Sequence, residues 1–309
     1  MSLFTSQSLG LEIGRDGLKF SLVSRQKEAV RLDAFAVAPL TSEMIRFSPR
    51  EPNILNPAPF VTQVRAAWLK LLTNRRRVCV SLPDSCGRVM LLDLETRFRS
   101  HEEGAGIIRW KLKKHSSMDM KETHLDYQVI REKETGELTV LVSLIAKPVI
   151  SQFEDLLAEA GLEPYAIDFT SFNLYRLFAR RIESIETCVL ISCFGGYLGI
   201  MVFYDGVLEF YRSKELPGGV FDAPRVFQEI NSSLLVYREK NPLRELGTCF
   251  SITESTLGES LRDIVVEAAG VEPLPLEAER NVIAGPGIAL NRNSAFILTA
   301  SLGAAVRAF

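Results

Sequence analysis

Apolar runs of strand length, separated by turn residues, open the chain. Three of them, LGLEIG, LKFSLVS and VRLDAFAV, follow one another closely, and Asp16-Gly17 lies between the first two. Runs of this kind, bounded by turn signals, predict a meander of three strands. After a proline-rich loop over residues 47–60, VTQVRAAWLKLL has the spacing of a helix and VCVSLP that of a buried strand.

A different pattern follows in residues 84–144. The strand-like run RVMLLDL comes first, then an amphipathic helix around GIIRWKLK, then two alternating runs, HLDYQVIRE and LTVLVSLIA. We interpret this segment as a small α+β module inserted into the surrounding domain.

Two parts of the chain repeat one another. Each has an amphipathic helix that ends in a similar motif, AGLEP at 160–164 and AGVEP at 269–273. Residues 11–23 and 190–202 share a strand, glycine turn and strand pattern. The repeat predicts a duplicated domain, with the first half over 1–83 plus 145–180 and the second over 181–309, although so short an echo can also arise by chance.

The stretch TCVLISCFGGYLGIMVFY, residues 187–204, has 18 residues without a charge, the lower limit for a membrane span. Gly195-Gly196 interrupts it at the centre, and Asp205-Gly206 follows as a turn signal. These features favour two buried strands around a tight turn over a membrane helix.

Composition excludes several classes of protein. The 309 residues carry 36 basic and 38 acidic side chains, for a net charge of −2, which argues against a protein that grips nucleic acid through its overall field. Five cysteines without a CxxC pair, and only three histidines, give no support to a disulfide framework or a metal site. The first residues lack a signal-peptide pattern, so we expect a cytoplasmic protein without a membrane span of its own.

Several segments of the chain follow a known order, among them LEIGRDGLKFSLV, VCVSLPD, FEDLLAEAGLEPYAIDFTSFNLYR, VFQEINSSLLVY and ASLGAAVR. Together these segments resemble the PilM family of type IV pilus assembly proteins, relatives of the division protein FtsA. The resemblance implies a mixed α/β, actin-like (ribonuclease H-like) duplicated domain with an inserted α+β subdomain of the FtsA/PilM type.

The resemblance also implies a nucleotide site between the two halves, with ATP and Mg²⁺ bound if the site is retained. The matching positions are Glu12, Gly14, Lys19, Ser192, Gly195, Gly196, Gly218 and Gly219. Three departures from the family pattern predict a degenerate site: Glu12 replaces Asp, Ser192 replaces a second Asp, and Phe194 replaces a glycine. We therefore expect a pseudo-ATPase without catalytic residues, bound cofactor or metal.

Simpler interpretations exist for some of these residues. Gly195-Gly196 suits an ordinary hairpin turn, Gly218-Gly219 a strand-to-helix joint, and Lys19 a surface position on a strand. The loop over 250–257, where the fold places a glycine pair near the adenosine, reads FSITESTL and has none.

By resemblance, the function is that of a cytoplasmic scaffold in a type IV pilus or related secretion machine. Such a protein is attached peripherally to the inner membrane, where it binds the N-terminal segment of a PilN-type membrane protein and contacts other assembly components. The segment would lie in a groove between the inserted module and the first half, and Trp110 and Tyr127 are candidate anchors. Ordinary core packing is the alternative for both aromatic residues.

Other functions of the same fold stay open at this point. The chain could be an ATP-hydrolysing or sugar-phosphorylating enzyme that uses Glu12 and Lys19, or a filament-forming relative of actin. A GspL-type secretion protein is a further candidate within the same branch.

Overall fold

The computed structural model describes residues 6–26, 29–113 and 118–309. Its strands are β1 (Gln7–Gly14), β2 (Gly17–Gln26), β3 (Ala29–Ala38), β4 (Arg77–Leu82), β5 (Gly87–Leu94), β6 (Thr123–Glu132), β7 (Leu138–Ala146), β8 (Glu163–Phe169), β9 (Thr187–Phe194), β10 (Tyr197–Tyr204), β11 (Val207–Glu215), β12 (Thr248–Ile252), β13 (Pro273–Pro275) and β14 (Val282–Ala284). Its helices are α1 (Pro57–Leu69), α2 (His101–Lys113), α3 (Lys147–Glu159), α4 (Thr170–Ile182), α5 (Ala223–Lys240), α6 (Gly258–Ala269), α7 (Ala278–Asn281) and α8 (Arg292–Val306).

Two sheets repeat one topology. The first has the order β14-β3-β2-β1-β4-β8, and the second has the order β11-β10-β9-β12-β13. In each, an antiparallel meander of three strands is followed by strands that pair in parallel, β4 with β1 and β12 with β9. The predicted opening meander is confirmed, and the shared strand order is what a duplicated domain produces.

The uncharged stretch over 187–204 forms β9 and β10, as predicted. Nearly every side chain of both strands is buried, because each face of the sheet is covered by helices. Burial on both faces accounts for a run without charges. Within the described residues, no helix has the length and hydropathy needed to cross a membrane.

The segment that follows β4 forms a third sheet, with the order β5-β7-β6. Helix α2 packs against it through Ile108 and Leu112, which join Leu94, Val140 and Val142 in a separate small core. The predicted strands and helix of this module are confirmed. Its outer limits, and those of the two halves, stay a prediction.

One local prediction differs from the structure, and one strand was not predicted. Helix α1 begins at Pro57 rather than near residue 61, because proline fits the first turn of a helix, where its missing N–H has no partner to lose. No signal in the sequence indicates the short strand β14, which pairs in parallel with β3. The chain therefore returns to the first sheet near its end.

Helix α8 lies directly on that first sheet. An ideal Cβ on Gly10 of β1 would lie 2.0 Å from the Ser301 carbonyl oxygen, and one on Gly303 would lie 1.8 Å from the carbonyl oxygen of Asn173 in α4. Both separations are far too short for a methyl group, so glycine at these two positions permits the close packing of α8 on β1 and on α4. The Ser8 hydroxyl also donates to the Ala305 carbonyl oxygen at 2.7 Å.

Candidate functional site

Three glycine-containing turns meet in this structure: two hairpin turns and a short turn over Pro217–Gly219. The β1–β2 turn covers residues 14–17 and the β9–β10 turn covers 194–197. Gly195 and Gly196 have φ of 58° and 83°, the left-handed conformation that a two-residue hairpin favours. An ideal Cβ on Gly196 would lie 2.9 Å from the Gly219 Cα, so the second and third turns are in contact.

A cavity of about 260 Å³ lies between these turns. It is lined by Arg15, Asp16, Lys19, Phe194, Gly195, Gly196, Gly218, Gly219, Glu254, Phe296 and Ile297. The structure thus brings five of the eight predicted nucleotide-site residues to one place. The other three, Glu12, Gly14 and Ser192, do not line the cavity. Its volume falls below the roughly 300–1,000 Å³ that is usual for small-molecule sites.

Lys19 is buried rather than on the surface. It is 3% exposed, and Glu12, directly opposite on β1, is 2% exposed. The Lys19 ammonium donates to Glu12 Oε1 at 3.1 Å and to Asp16 Oδ1 at 2.5 Å. Both carboxylates therefore compete with any anion for this cation.

The pKa values of the pair reflect their burial and their contact. Burial raises the pKa of Glu12 above its ordinary value, and the opposing charge of Lys19 does not cancel this effect. Burial alone would lower the pKa of Lys19, but Glu12 and Asp16 outweigh it and the pKa is raised. Glu12 Oε2 has no hydrogen-bond partner among the described residues.

Arg15 connects the first hairpin to the second sheet. Its guanidinium forms an ion pair with Glu215 at the end of β11 and lies 5.6 Å from the centre of the Tyr197 ring. An ideal Cβ on Gly219 would lie 3.4 Å from Arg15 Nη1. Arg15 thus lines the cavity while it joins the first hairpin to the second sheet.

Phe194 and Ser192 of the second hairpin both point into packed surroundings. Phe194 is 6% exposed and packs on Phe296 of α8, with ring centres 5.1 Å apart. The Ser192 hydroxyl lies against Gly199 of β10, 2.5 Å from an ideal Cβ there. It occupies the interior of the hairpin instead of the cavity.

A buried polar network that sequence reasoning missed joins Asp84, which follows β4, to β11 and α4. The Tyr211 hydroxyl donates to Asp84 Oδ1 at 2.5 Å, and the Ser171 backbone N–H donates to Asp84 Oδ2 at 3.3 Å. Burial raises the pKa of Asp84 despite these hydrogen bonds. Asp84 ends the VCVSLPD segment, but nothing in the sequence indicates that Tyr211 of β11 reaches it.

A second and larger cavity, a groove of about 590 Å³, separates the inserted sheet from the first sheet. One wall is β6, and the other is β8 with α3; its lining includes His124, Asp126, Tyr127, Gln128, Ile150, Glu154 and residues 164–169. Strands β6 and β8 are each the last strand of their sheet. Within the described chain, two open sheet edges therefore face the same groove.

The two predicted anchor residues have different surroundings. Tyr127 lines the groove, and its ring stacks on His101 at 4.4 Å between centres. Trp110 is 68% exposed, so the interpretation that it packs in the core is wrong. It does not line the groove either. Tyr165, which sequence reasoning missed, is 52% exposed in the groove wall, with the Arg77 guanidinium 3.4 Å from its ring centre.

The described residues contain no group of three or more histidine, cysteine or acidic side chains that could hold a metal ion. All five cysteines are buried and free.

A family model with the description "Type IV pilus assembly protein PilM" matches residues 10–193. None of the curated proteins matches the chain.

Solved structures that resemble this one share its fold at low sequence identity. A chain of the "PilM-PilN type IV pilus biogenesis complex" is 17% identical, with a TM-score of 0.78, over 98% of this chain and 99% of that chain. A Bacteroides thetaiotaomicron protein with an actin-like ATPase fold is 14% identical, with a TM-score of 0.55, over 96% and 95%. The cytoplasmic domain of EpsL from Vibrio cholerae, an inner-membrane component of the type II secretion system, is 12% identical, with a TM-score of 0.52, over 96% and 94%. The predicted actin-like fold is confirmed.

Proposed function

The chain belongs to the family of the type IV pilus assembly protein PilM, and on this basis we propose that it is a scaffold of a type IV pilus or related secretion machine. In this proposal it works at the cytoplasmic face of the inner membrane and binds the N-terminal segment of a PilN-type membrane protein. The similar chain in a PilM-PilN complex supports this choice of partner.

The groove between β6 and β8 is the proposed binding site, and the two facing sheet edges are the observation that carries it. An extended peptide can add to an open edge through backbone hydrogen bonds, while alternate side chains fill pockets on either side. The groove has apolar walls at Ile150 and Phe172 and aromatic surface at Tyr127 and Tyr165. Such walls suit the apolar side chains of an extended segment.

Binding of a fluorescent peptide tests this proposal. The peptide carries the N-terminal segment of the PilN-type protein from the same genome, and anisotropy measures its affinity. Tyr165→Ala should weaken binding about tenfold or more, as expected for an aromatic anchor. Trp110→Ala is the matched control, since Trp110 is exposed but lies outside the groove. Equal losses in both variants, or no loss in Tyr165→Ala, would place the peptide elsewhere.

The proposal includes a degenerate nucleotide site. The residues present do not fit a magnesium nucleotide, because the Lys19 ammonium is held by two carboxylates and Phe194 lies in the second hairpin. Glu12, Asp16 and Lys19 together carry one net negative charge beside the place where phosphates would lie, which repels an anion. We therefore assign no catalytic step to this cavity.

Thermal unfolding with millimolar Mg-ATP tests the degenerate site. A ligand present at 100 times its dissociation constant stabilises the folded protein by about 2.7 kcal/mol. We expect no change in the midpoint. A shift that requires magnesium would instead support a nucleotide-binding protein, and measurement of phosphate release would then separate a switch from an ATPase.

A further inference from the structure

The connection between α1 and β4 exposes two leucines to solvent. Leu69 is 60% exposed and Leu72 is 94% exposed. Leu72 also has φ of 51°, a left-handed conformation that a leucine rarely adopts. The turn therefore presents an apolar side chain outward at a local conformational cost.

Four basic side chains surround these leucines. Lys70, Arg75, Arg76 and Arg77 are all exposed, and none forms an ion pair with a described residue. We call residues 69–77 the α1–β4 tip. Residues 69–77 contain no acidic side chain, so the tip carries a positive charge.

The tip has a defined shape. The Trp68 indole N–H donates to the Arg75 carbonyl oxygen at 3.0 Å, and this hydrogen bond closes the turn. The Arg75 backbone N–H also donates to the Thr73 hydroxyl at 3.2 Å. The leucines and the arginines are therefore held together on one projection of the surface.

We propose that the α1–β4 tip binds the surface of an anionic lipid bilayer. Exposed apolar side chains enter the boundary between headgroups and acyl chains, and basic side chains beside them attract anionic headgroups. The chain as a whole carries a net charge of −2, so this attraction is a property of the tip and orients the molecule. A nucleic-acid site would use the basic residues but gains nothing from the two leucines.

The position of the tip connects it to the groove. The Arg77 guanidinium lies on the Tyr165 ring, and Tyr165 lines the groove. If the proposed function holds, the tip places the groove next to the membrane from which the partner's segment emerges. The lipid contact itself does not depend on that partner.

Co-sedimentation with lipid vesicles tests the proposal, with the full chain and no peptide. The chain should bind vesicles that contain phosphatidylglycerol, should not bind pure phosphatidylcholine, and should lose binding as salt is raised. Each basic residue contributes about fivefold, so Arg75→Gln with Arg76→Gln should weaken binding roughly 25-fold. Leu72→Ser should also weaken it at constant charge.

Two matched controls are available. Lys113→Gln with Lys240→Gln makes the same change in net charge at exposed sites away from the tip, and Leu243→Ser removes a leucine that is 97% exposed elsewhere. Both should bind vesicles like the wild-type protein. Absence of phosphatidylglycerol-dependent binding, or equal losses in the controls, would overturn the proposal. Binding that survives Leu72→Ser but follows the arginines, and that DNA displaces, would indicate a nucleic-acid surface instead. The peptide assay fails or succeeds separately, because it contains no lipid.

Discussion

Replacing Lys19 with methionine tests whether Lys19 and Glu12 stabilise each other as a buried ion pair. The substitution keeps the length of the side chain but leaves Glu12, which is 2% exposed, without its cation. At the observed 3.1 Å and an effective dielectric constant of about 20, the lost attraction is about 5 kcal/mol. Breaking a buried pair from one side costs about 3–5 kcal/mol in practice, so we expect a loss of that size at neutral pH.

The loss of stability should depend on pH, because protonation neutralises the unpaired Glu12 carboxylate. From an ordinary pKa of 4.5, protonation costs about 4 kcal/mol at pH 7.5 and about 1.4 kcal/mol at pH 5.5. Burial already raises the pKa of Glu12 in the wild-type protein, and loss of Lys19 raises it further, so the folded variant binds more protons and gains more stability as pH falls. The difference from wild type should therefore shrink by up to about 3 kcal/mol between pH 7.5 and 5.5.

Urea unfolding followed by circular dichroism at the two pH values measures this effect. Adding Glu12→Gln to the variant removes the buried carboxylate and should restore most of the stability. Lys133→Met is the matched control, since Lys133 pairs with Glu137 at 2.6 Å on the surface, and it should leave the midpoint unchanged. A loss that is the same at both pH values, or that Glu12→Gln does not relieve, would refute the reasoning.

Further predictions concern packing, the surface pair and the cysteines. Gly303→Ala should destabilise the protein by at least about 3 kcal/mol in urea unfolding, because its Cβ would meet a carbonyl oxygen, whereas Gly106→Ala, in open space, should not. A double-mutant cycle on Arg15 and Glu215, both partly exposed, should give a coupling energy below about 1 kcal/mol, and a larger value would show that this pair holds the two sheets together. Burial raises the pKa of the Cys188, Cys193 and Cys249 thiols to about 12. A thiol reagent at pH 8 should therefore modify the native protein slowly, whereas in urea it should modify all five cysteines quickly.

Strong local patterns account for what the sequence predicted of the fold. The 187–204 hairpin was predictable because its uncharged strands flank a glycine pair. The strands of the inserted module were predictable because apolar and polar residues alternate along them. Strand β14 was not, because its three residues carry no periodicity and depend on pairing with a strand about 250 residues earlier. The start of helix α1 is hard to predict because Pro57 and Pro59 are as typical of a loop as of the first turn of a helix.

Much of the candidate site depends on contacts that no local pattern contains. The sequence allows a surface position for Lys19, because alternation along β2 does not reveal that α8 covers this face of the strand. The charge pair with Glu12 needs the strand register, and the contact of Arg15 with Glu215 joins residues 200 positions apart. The groove arises where two sheet edges meet, so Tyr165 could not have been singled out from its neighbours along the chain.

The packing of α8 onto β1 also affects when the protein can fold during synthesis. The bond between Ser8 and Ala305 spans 297 positions, and Gly10 of β1 lies directly beneath the helix. The opposite face of these strands, with Leu9, Leu11 and Ile13, packs on α1 and α3, which a ribosome makes long before α8. The face beneath α8 must wait until nearly all of the remaining chain has been made. N-terminal domains usually fold first as they emerge, but here β1 and β2 complete their packing only at the end of synthesis.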